Sequence, residues 1–169
     1  MVQDFDSSYV GLLECLKKFT QNAVKDLILP IRIQKKDEKQ VYRPADVYLM
    51  RLPDSNSATK KAPYIIHQLL TTKDLQEEGH SPTSGVQVRS LFCVYSDDEQ
   101  EGGLMLAGLV DRFRISLLRE VVIGKRYSLN LKAGAEALFY QDNTAPYFAA
   151  EMVTTWKIPS IEREVRKWL

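Results

Sequence analysis

The sequence contains few of the residues that enzymes and metalloproteins use for chemistry. Its 169 residues include only two histidines and two cysteines. These four residues match no zinc-binding spacing, and two cysteines make no disulfide framework. There is no Gly-x-Ser-x-Gly sequence, and the pair Gly102-Gly103 lacks the Lys and Ser/Thr of a phosphate-binding loop. The sequence therefore predicts no catalytic residue, no cofactor site and no metal site.

Charge and hydrophobicity argue against two classes of partner. The chain has 23 basic and 22 acidic residues, a net charge of +1. Such a balance creates no field that draws a whole protein onto nucleic acid or an anionic membrane. No apolar run approaches the roughly 18 residues of a membrane span, and the first residues lack the pattern of a secretory signal. We expect neither membrane insertion nor sequence-specific nucleic-acid binding.

A hydrophobic content of 44% predicts a folded core, and the length predicts a single domain over residues 1–169. Cys15 and Cys93 lie inside apolar patterns, which is typical of buried free thiols in a reducing compartment. His67 lies in an apolar strand pattern and is interpreted as a structural imidazole. His80 lies in a polar segment and is expected to face solvent.

Two segments have the apolar spacing of amphipathic helices, residues 8–28 and 102–120. Ser7 or Ser8 is placed to cap the first helix, and Pro30 is predicted to end it. The pair Gly102-Gly103 is interpreted as part of an acidic hinge before the second helix.

The acidic run 97–101 comes immediately before the second helical pattern. Negative charge at this position complements the helix dipole, so the run is interpreted as a helix start. It lacks the alternating oxygen-ligand spacing of a calcium loop.

Strand patterns and polar segments alternate in the rest of the chain. The strands are predicted near 47–49, 64–71, 86–95, 127–131, 137–140 and 148–158. The turn 141–146 predicts an antiparallel hairpin between the last two runs. Mobile polar loops are predicted at 34–44, 54–61 and 73–85. Residues 86–158 therefore form a β-α-β-β block.

The final segment of the sequence, 161–169, has a separate interpretation. Ile161, Val165 and Trp168 are apolar positions among basic residues that include Arg166. Tryptophan and arginine are enriched at the energetically important positions of protein interfaces. These four residues are our candidate subunit contacts. Packing of the segment on its own subunit, or a frayed terminus, is the alternative.

The order of these elements resembles that of the tail terminator (tail-completion) proteins of long-tailed bacteriophages and prophages. The shared features are the acidic Gly-Gly run before the second helix, Leu-x-Asp-Arg-x-Arg at 109–114 and Met-Val-x-x-Trp-x-Ile-Pro at 152–159. The segments 64–66, 94–103 and 146–164 carry most of the resemblance. It extends from about Ser8 to Arg163.

The resemblance implies an α/β (α+β) fold with a mainly antiparallel sheet of about four to six strands, flanked by two main helices. It implies a virion structural protein and not an enzyme. Such a protein assembles into a ring, expected to be a hexamer, in the host cytoplasm. The ring caps the major tail tube protein at the neck end of the virion tail, stops tail polymerisation and joins the head–tail connector protein.

Two alternatives remain at this point. The chain is a different head–tail joining or neck protein, or it is a ligand-binding or enzymatic α/β domain. A pocket in which aspartate, histidine and arginine converge would favour the second alternative. For an assembly protein, the polar segments 34–44, 54–61 and 73–85 are candidates for contacts that become ordered on association.

Overall fold

The structure is a computed structural model that describes residues 8–33, 39–53, 61–141 and 144–161. This part of the chain contains two α-helices and nine β-strands. The helices are α1 (Tyr9–Val24) and α2 (Glu99–Glu120). The strands are β1 (Leu29–Pro30), β2 (Tyr42–Arg43), β3 (Asp46–Leu49), β4 (Tyr64–Leu75), β5 (Thr83–Tyr95), β6 (Val122–Ile123), β7 (Tyr127–Leu129), β8 (Ala135–Phe139) and β9 (Tyr147–Ile158).

Helix α1 begins where the sequence predicts it and ends earlier. Ser8 is the N-cap, and its side-chain oxygen accepts the N–H of Gly11 at 3.1 Å. The helix ends at Val24, so the prediction that Pro30 ends it is wrong. Pro30 instead lies in β1, opposite Tyr42 of β2. This position tolerates proline because β1 is an edge strand in a separate two-stranded sheet.

Helix α2 starts at Glu99, within the acidic run and three residues before the predicted start at residue 102. The side chain of Asp98 is the N-cap and accepts the N–H groups of Gln100 and Glu101 at 2.9 and 3.2 Å. Glu99 and Glu101 lie in the first turn, where negative charge is favourable for the helix dipole. The interpretation of this run as a helix start is confirmed.

The glycine pair lies inside α2 and is not a hinge in front of it, because the helix already begins at Glu99. Gly102 is buried, and a Cβ atom at this position would overlap the ring of Phe148 in β9. Glycine therefore lets the start of α2 approach the sheet closely. A Cβ atom on the neighbouring Gly103 would have open space around it.

Seven strands form one sheet in the order β3-β4-β5-β9-β7-β6, with β8 also paired to β9. Strands β3 and β4 are parallel and the other pairs are antiparallel. The expectation of a mainly antiparallel sheet with two helices is confirmed. The sheet has seven strands, more than the four to six expected, because strands as short as β6 leave little periodic signal.

Both helices pack on the same face of this sheet. Phe113 of α2 lies against Phe92 of β5 and His67 of β4, with ring centroids 5.6 and 5.4 Å apart. Thr20 of α1 bonds to the same histidine. Trp156 of β9 is completely buried in this core. Side chains alternate along a strand, so the residues between these core positions point to the opposite face.

The segment 73–85 is not the long loop predicted from its polarity. Strand β4 runs to Leu75 and β5 begins at Thr83, and the two remain paired to these ends. The prediction is wrong because the β4 side of this hairpin is exposed throughout, so its sequence carries no apolar alternation. We call residues 71–75 of β4 with 83–85 of β5 the distal arm.

The other two predicted loops are only partly described. Within 34–44, residues 34–38 lie outside the described residues, and Tyr42–Arg43 form strand β2. Within 54–61, only Lys61 is described. Its carbonyl oxygen accepts a hydrogen bond from Arg43 Nη2 at 2.6 Å.

The contrast between the two glycines of α2 gives a stability test. We expect Gly102→Ala to lower the free energy of unfolding by about 1–3 kcal/mol, because the methyl group overlaps Phe148. Gly103→Ala is the matched control and should raise it by about 0.5–1 kcal/mol, since alanine is the better helix former. Urea titration followed by circular dichroism measures both. Equal effects of the two substitutions would contradict the close packing of α2 on β9.

Candidate assembly surface

In the described part of the chain, no helix covers the sheet face that is turned away from α1 and α2. Strand alternation and the observed register place polar and apolar residues together on this face. They are Gln87, Arg89 and Leu91 of β5, Glu151, Val153 and Thr155 of β9, and Glu136 and Leu138 of β8. None of these eight residues is buried. We call this surface the open face.

Apolar side chains on the open face are well exposed to solvent. Leu138 of β8 is 57% exposed, and Tyr140 immediately after this strand is 38% exposed. Leu91 and Val153 on the neighbouring strands are half-buried. Scattered exposed apolar residues are normal on a protein, but a grouped set on one side of a sheet is typical of an interaction surface.

A charged cluster occupies the centre of the open face. The Arg89 guanidinium forms an ion pair through Nε with the Glu151 carboxylate, and its Nη2 donates to the Tyr140 hydroxyl at 2.9 Å. The hydrogen bond to Glu151 raises the pKa of Arg89 above its ordinary value. The guanidinium and the carboxylate neutralise each other, so this cluster provides neither a free base nor a free acid.

One end of the open face is closed by tyrosines. The Tyr95 and Tyr147 rings lie 5.6 Å apart and, with Tyr64, enclose the buried Cys93. Burial raises the pKa of the Cys93 thiol to about 11, so the sulfur is protonated at neutral pH. A protonated, buried thiol is a poor nucleophile. The prediction of a buried cysteine is confirmed for Cys93, whereas Cys15 is half-buried.

The other end of the open face contains an open groove of about 640 Å³ beside the distal arm. Across the strands, Gly85 stands between Lys73 and Lys157, so the two lysines flank a position without a side chain. Hydroxyl groups such as those of Thr71 and Thr155 complete the polar lining. The lining residues include no carboxylate, imidazole or guanidinium group. The groove therefore lacks the convergent acid and base expected of the enzymatic alternative.

His67 is completely buried in the helix-side core and bonds through both ring nitrogens. Thr20 Oγ1 donates to the Leu16 carbonyl oxygen at 2.7 Å, so it accepts from His67 Nε2 at 2.8 Å. Nδ1 therefore carries no proton and accepts from Ser90 Oγ at 2.7 Å. Burial lowers the pKa of His67 to about 3. This arrangement confirms the structural interpretation of His67. The exposed side chain of His80 confirms the other expectation.

Among the described residues, no group of three or more His, Cys, Asp or Glu side chains is placed to hold a metal ion. In the same part of the chain, neither helix has the length and apolar content needed to cross a membrane.

No protein-family model matches this chain, and no curated protein matches its sequence. The resemblance to tail terminators therefore depends on the order of elements and the motifs quoted above.

The predicted subunit contacts are only partly described. Ile161 is 86% exposed, so its side chain is free of the core. Val165, Arg166 and Trp168 lie outside the described residues, and their role stays a prediction.

Sequence reasoning identified none of the residues of the open face as a surface. The available signal was the alternation along β5, β8 and β9, which shows that each strand has two different faces. Alternation does not reveal which face the helices cover.

The buried histidine predicts how stability depends on pH. His67 stays neutral in the folded state down to about pH 3, whereas the unfolded chain takes up this proton below about pH 6.5. The contribution of His67 to the free energy of unfolding should therefore be constant above about pH 6.5 and fall below it, by up to roughly 1.4 kcal/mol per pH unit. Urea titrations between about pH 7 and pH 5 measure this slope.

Two single variants identify the source of that slope. His67→Gln should reduce it, because the titrating group is gone, although the substitution also lowers stability at every pH. His80→Gln changes an exposed side chain and should retain the slope. The assignment fails if both variants keep the same dependence on pH as the wild type.

Proposed function

We propose that this protein is a tail terminator of a long-tailed bacteriophage or prophage. In this proposal, copies of the chain form a ring, expected to be a hexamer, that caps the end of the tail tube. The ring stops polymerisation of the major tail tube protein and presents its other side to the head–tail connector. It assembles in the host cytoplasm and remains at the neck end of the virion tail. The protein acts through interfaces and not through turnover.

The observation that carries the proposal is the open face. A domain that works alone usually covers both faces of a sheet or keeps the uncovered face polar. Here the uncovered face keeps Leu138 and Tyr140 exposed beside an ion pair between Arg89 and Glu151. A polar centre with apolar neighbours suits a surface that is wet in the free subunit and buried on association.

The fold gives a second line of support. The α+β architecture, with a mainly antiparallel sheet and two main helices, agrees with the fold that the resemblance implies. His67 and Cys93 are buried with structural roles, and His80 is exposed to solvent. The geometry of the described residues therefore favours an assembly part over the enzymatic alternative.

A ring also explains how growth would stop. In a cyclic assembly each subunit meets its neighbours through two different patches, and the rotation closes the set. The two axial sides of such a ring are different surfaces. One side can match the end of the tube, while the other offers no site for another tube subunit.

The direct test is to add the purified protein to growing tail tubes of its own phage or prophage. We expect rings in electron micrographs of the protein, and tubes of limited length with added density at one end. Sedimentation should show association that increases with concentration, because a net charge of +1 gives little repulsion between subunits.

The outcome separates the proposal from its nearest alternative. Rings that bind the isolated connector and leave tube growth unchanged would indicate a different neck protein. A protein that stays monomeric and binds neither tubes nor connectors would overturn the proposal.

The predicted contact segment gives a second test of assembly. We expect Trp168→Ala to weaken ring formation by roughly tenfold or more, as expected for an aromatic anchor at an interface. The thermal unfolding midpoint of the monomer should stay unchanged. Trp168→Phe keeps an aromatic ring and should retain most of the association. If Trp168→Ala lowers the unfolding midpoint and leaves association intact, the segment packs on its own subunit.

A further inference from the structure

The described sheet ends at β3 and the distal arm on one side, and at β8 and β6 on the other. Strand β8 pairs with β9 along one edge, and no described strand lies along its other edge. At the opposite side of the sheet, β3 pairs with Tyr64–His67 of β4 only. The part of β4 in the distal arm, Thr71–Leu75, therefore has β5 on one side and no described strand on the other. Unpaired strand edges bind other strands readily.

We infer that β8 of one copy pairs with Thr71–Leu75 of β4 in the next copy, so that the sheet continues from subunit to subunit. This inference rests on the proposed ring and names the strands that close it. The edge of β4 that is not paired with β3 runs from Gln68 to Leu75, which is long enough for the five residues of β8. One edge differs from the other, so the contact is of the head-to-tail kind that a ring requires.

The direction of the pairing follows from the order of strands within one subunit. Strands β4, β5, β9 and β8 are each antiparallel to the one before. When a rotation relates neighbouring copies in one continuous sheet, equivalent strands run in the same direction and the open faces lie on the same side of the sheet. Strand β8 therefore meets β4 of the next copy in the antiparallel orientation, and the open faces of both copies lie on the same side.

The backbone of β8 has hydrogen-bonding groups that point away from β9, towards the free edge. The Tyr140 N–H donates to the Ala149 carbonyl oxygen at 3.1 Å, so this residue points its backbone groups towards β9. Antiparallel strands alternate between residues that point towards the partner and residues that point away. Ala135, Ala137 and Phe139 therefore direct their N–H and C=O groups towards the free edge.

Charge selects the register of the pairing. Glu136 is the only charged residue of β8, and Lys73 is the only basic residue of the paired β4 segment. The register of the sheet places both side chains on the open face, opposite Val153 and Gly85 respectively. Antiparallel pairing that sets Glu136 opposite Lys73 puts Leu138 opposite Thr71 on the same face. Opposite charges across a strand pair are favourable.

The required offset between subunits is one that sheets commonly adopt. Within a subunit, Ala137 lies level with His67, through Met152 and Ser90. In the proposed pairing Ala137 lies opposite Thr72 of the next copy, an offset of about five residues or ~16 Å. The four strands of one copy span ~19 Å across the sheet. A shift of ~16 Å along the strands for each copy therefore tilts the strands by about 40° from the axis of the ring. Strands in closed barrels are tilted by about 35–45°.

A charge-reversal cycle tests the contact. Glu136→Lys and Lys73→Glu each place like charges across the interface, and each should raise the concentration needed for assembly by roughly tenfold or more. The double variant restores opposite charges and should assemble within about threefold of the wild type. Sedimentation at low salt measures assembly, because these exposed charges are screened at high salt.

Control variants separate this contact from a general effect of charge. Lys18→Glu reverses an exposed lysine on α1, outside both of the paired segments, and should assemble like the wild type. Both reversed positions are exposed, so circular dichroism should show unchanged folding for every variant. Assembly that is insensitive to both single reversals overturns the inference. So does failure of the double variant to recover when its folding is intact.

Cross-linking gives a second readout that does not depend on affinity. The variant with both Glu136→Cys and Lys73→Cys should form disulfides between subunits under mild oxidation, giving a ladder of multimers. The control variant with both Glu136→Cys and Lys18→Cys should form no ladder. If rings cap tubes and no ladder forms, the edge pairing is wrong and the proposed function stands. If the ladder forms and the assemblies bind no tubes, the proposed function is wrong and the pairing stands.

Discussion

Strand β5 pairs along nearly its whole length with β9, from Ser84 opposite Ile158 to Tyr95 opposite Tyr147. This register determines both faces of the sheet at the same time. It places Phe92 and Ala150 towards the helices, and Arg89 and Val153 on the open face. A slip of one residue would exchange the two sets, burying the guanidinium and exposing the core. The rest of the structure depends on this pairing, because β4, β7 and β8 are all aligned through it.

The second constraint is the number of helices in the described chain. Two amphipathic helices are enough to cover one face of the sheet, and α1 and α2 both lie there. The core beneath them contains wholly buried Trp156, Phe113 and His67. The histidine is accommodated because both ring nitrogens have partners, which is the condition for burying a polar group at low cost. The opposite face keeps a mixture of polar and apolar residues, none of which is buried in the described chain.

The two sides of the sheet differ in what they contribute to the domain. The helix side provides stability, since its buried apolar side chains contribute roughly 1.5–3 kcal/mol each. The open face, the distal arm and the edge of β8 add little to that core. Their residues are instead exposed, and they are the ones that the proposed assembly would use. This is the arrangement expected of a part that acts by fitting against its neighbours.

Local patterns in the sequence predicted both helices and the antiparallel hairpin of β8 and β9, whereas the mainly antiparallel sheet was expected from the family resemblance. Apolar spacing identified α1 and α2, and the capping chemistry of Ser8 and the acidic run located their starts. Helix periodicity and capping depend on residues that are close together in the sequence, so the sequence alone can reveal them. The distal arm was not predicted because its β4 residues are exposed on both faces. Its pairing with β5 therefore requires no alternation of apolar and polar residues in the sequence. Only the tertiary structure decided that both helices share one face, because strand alternation distinguishes two faces without saying which one the helices cover.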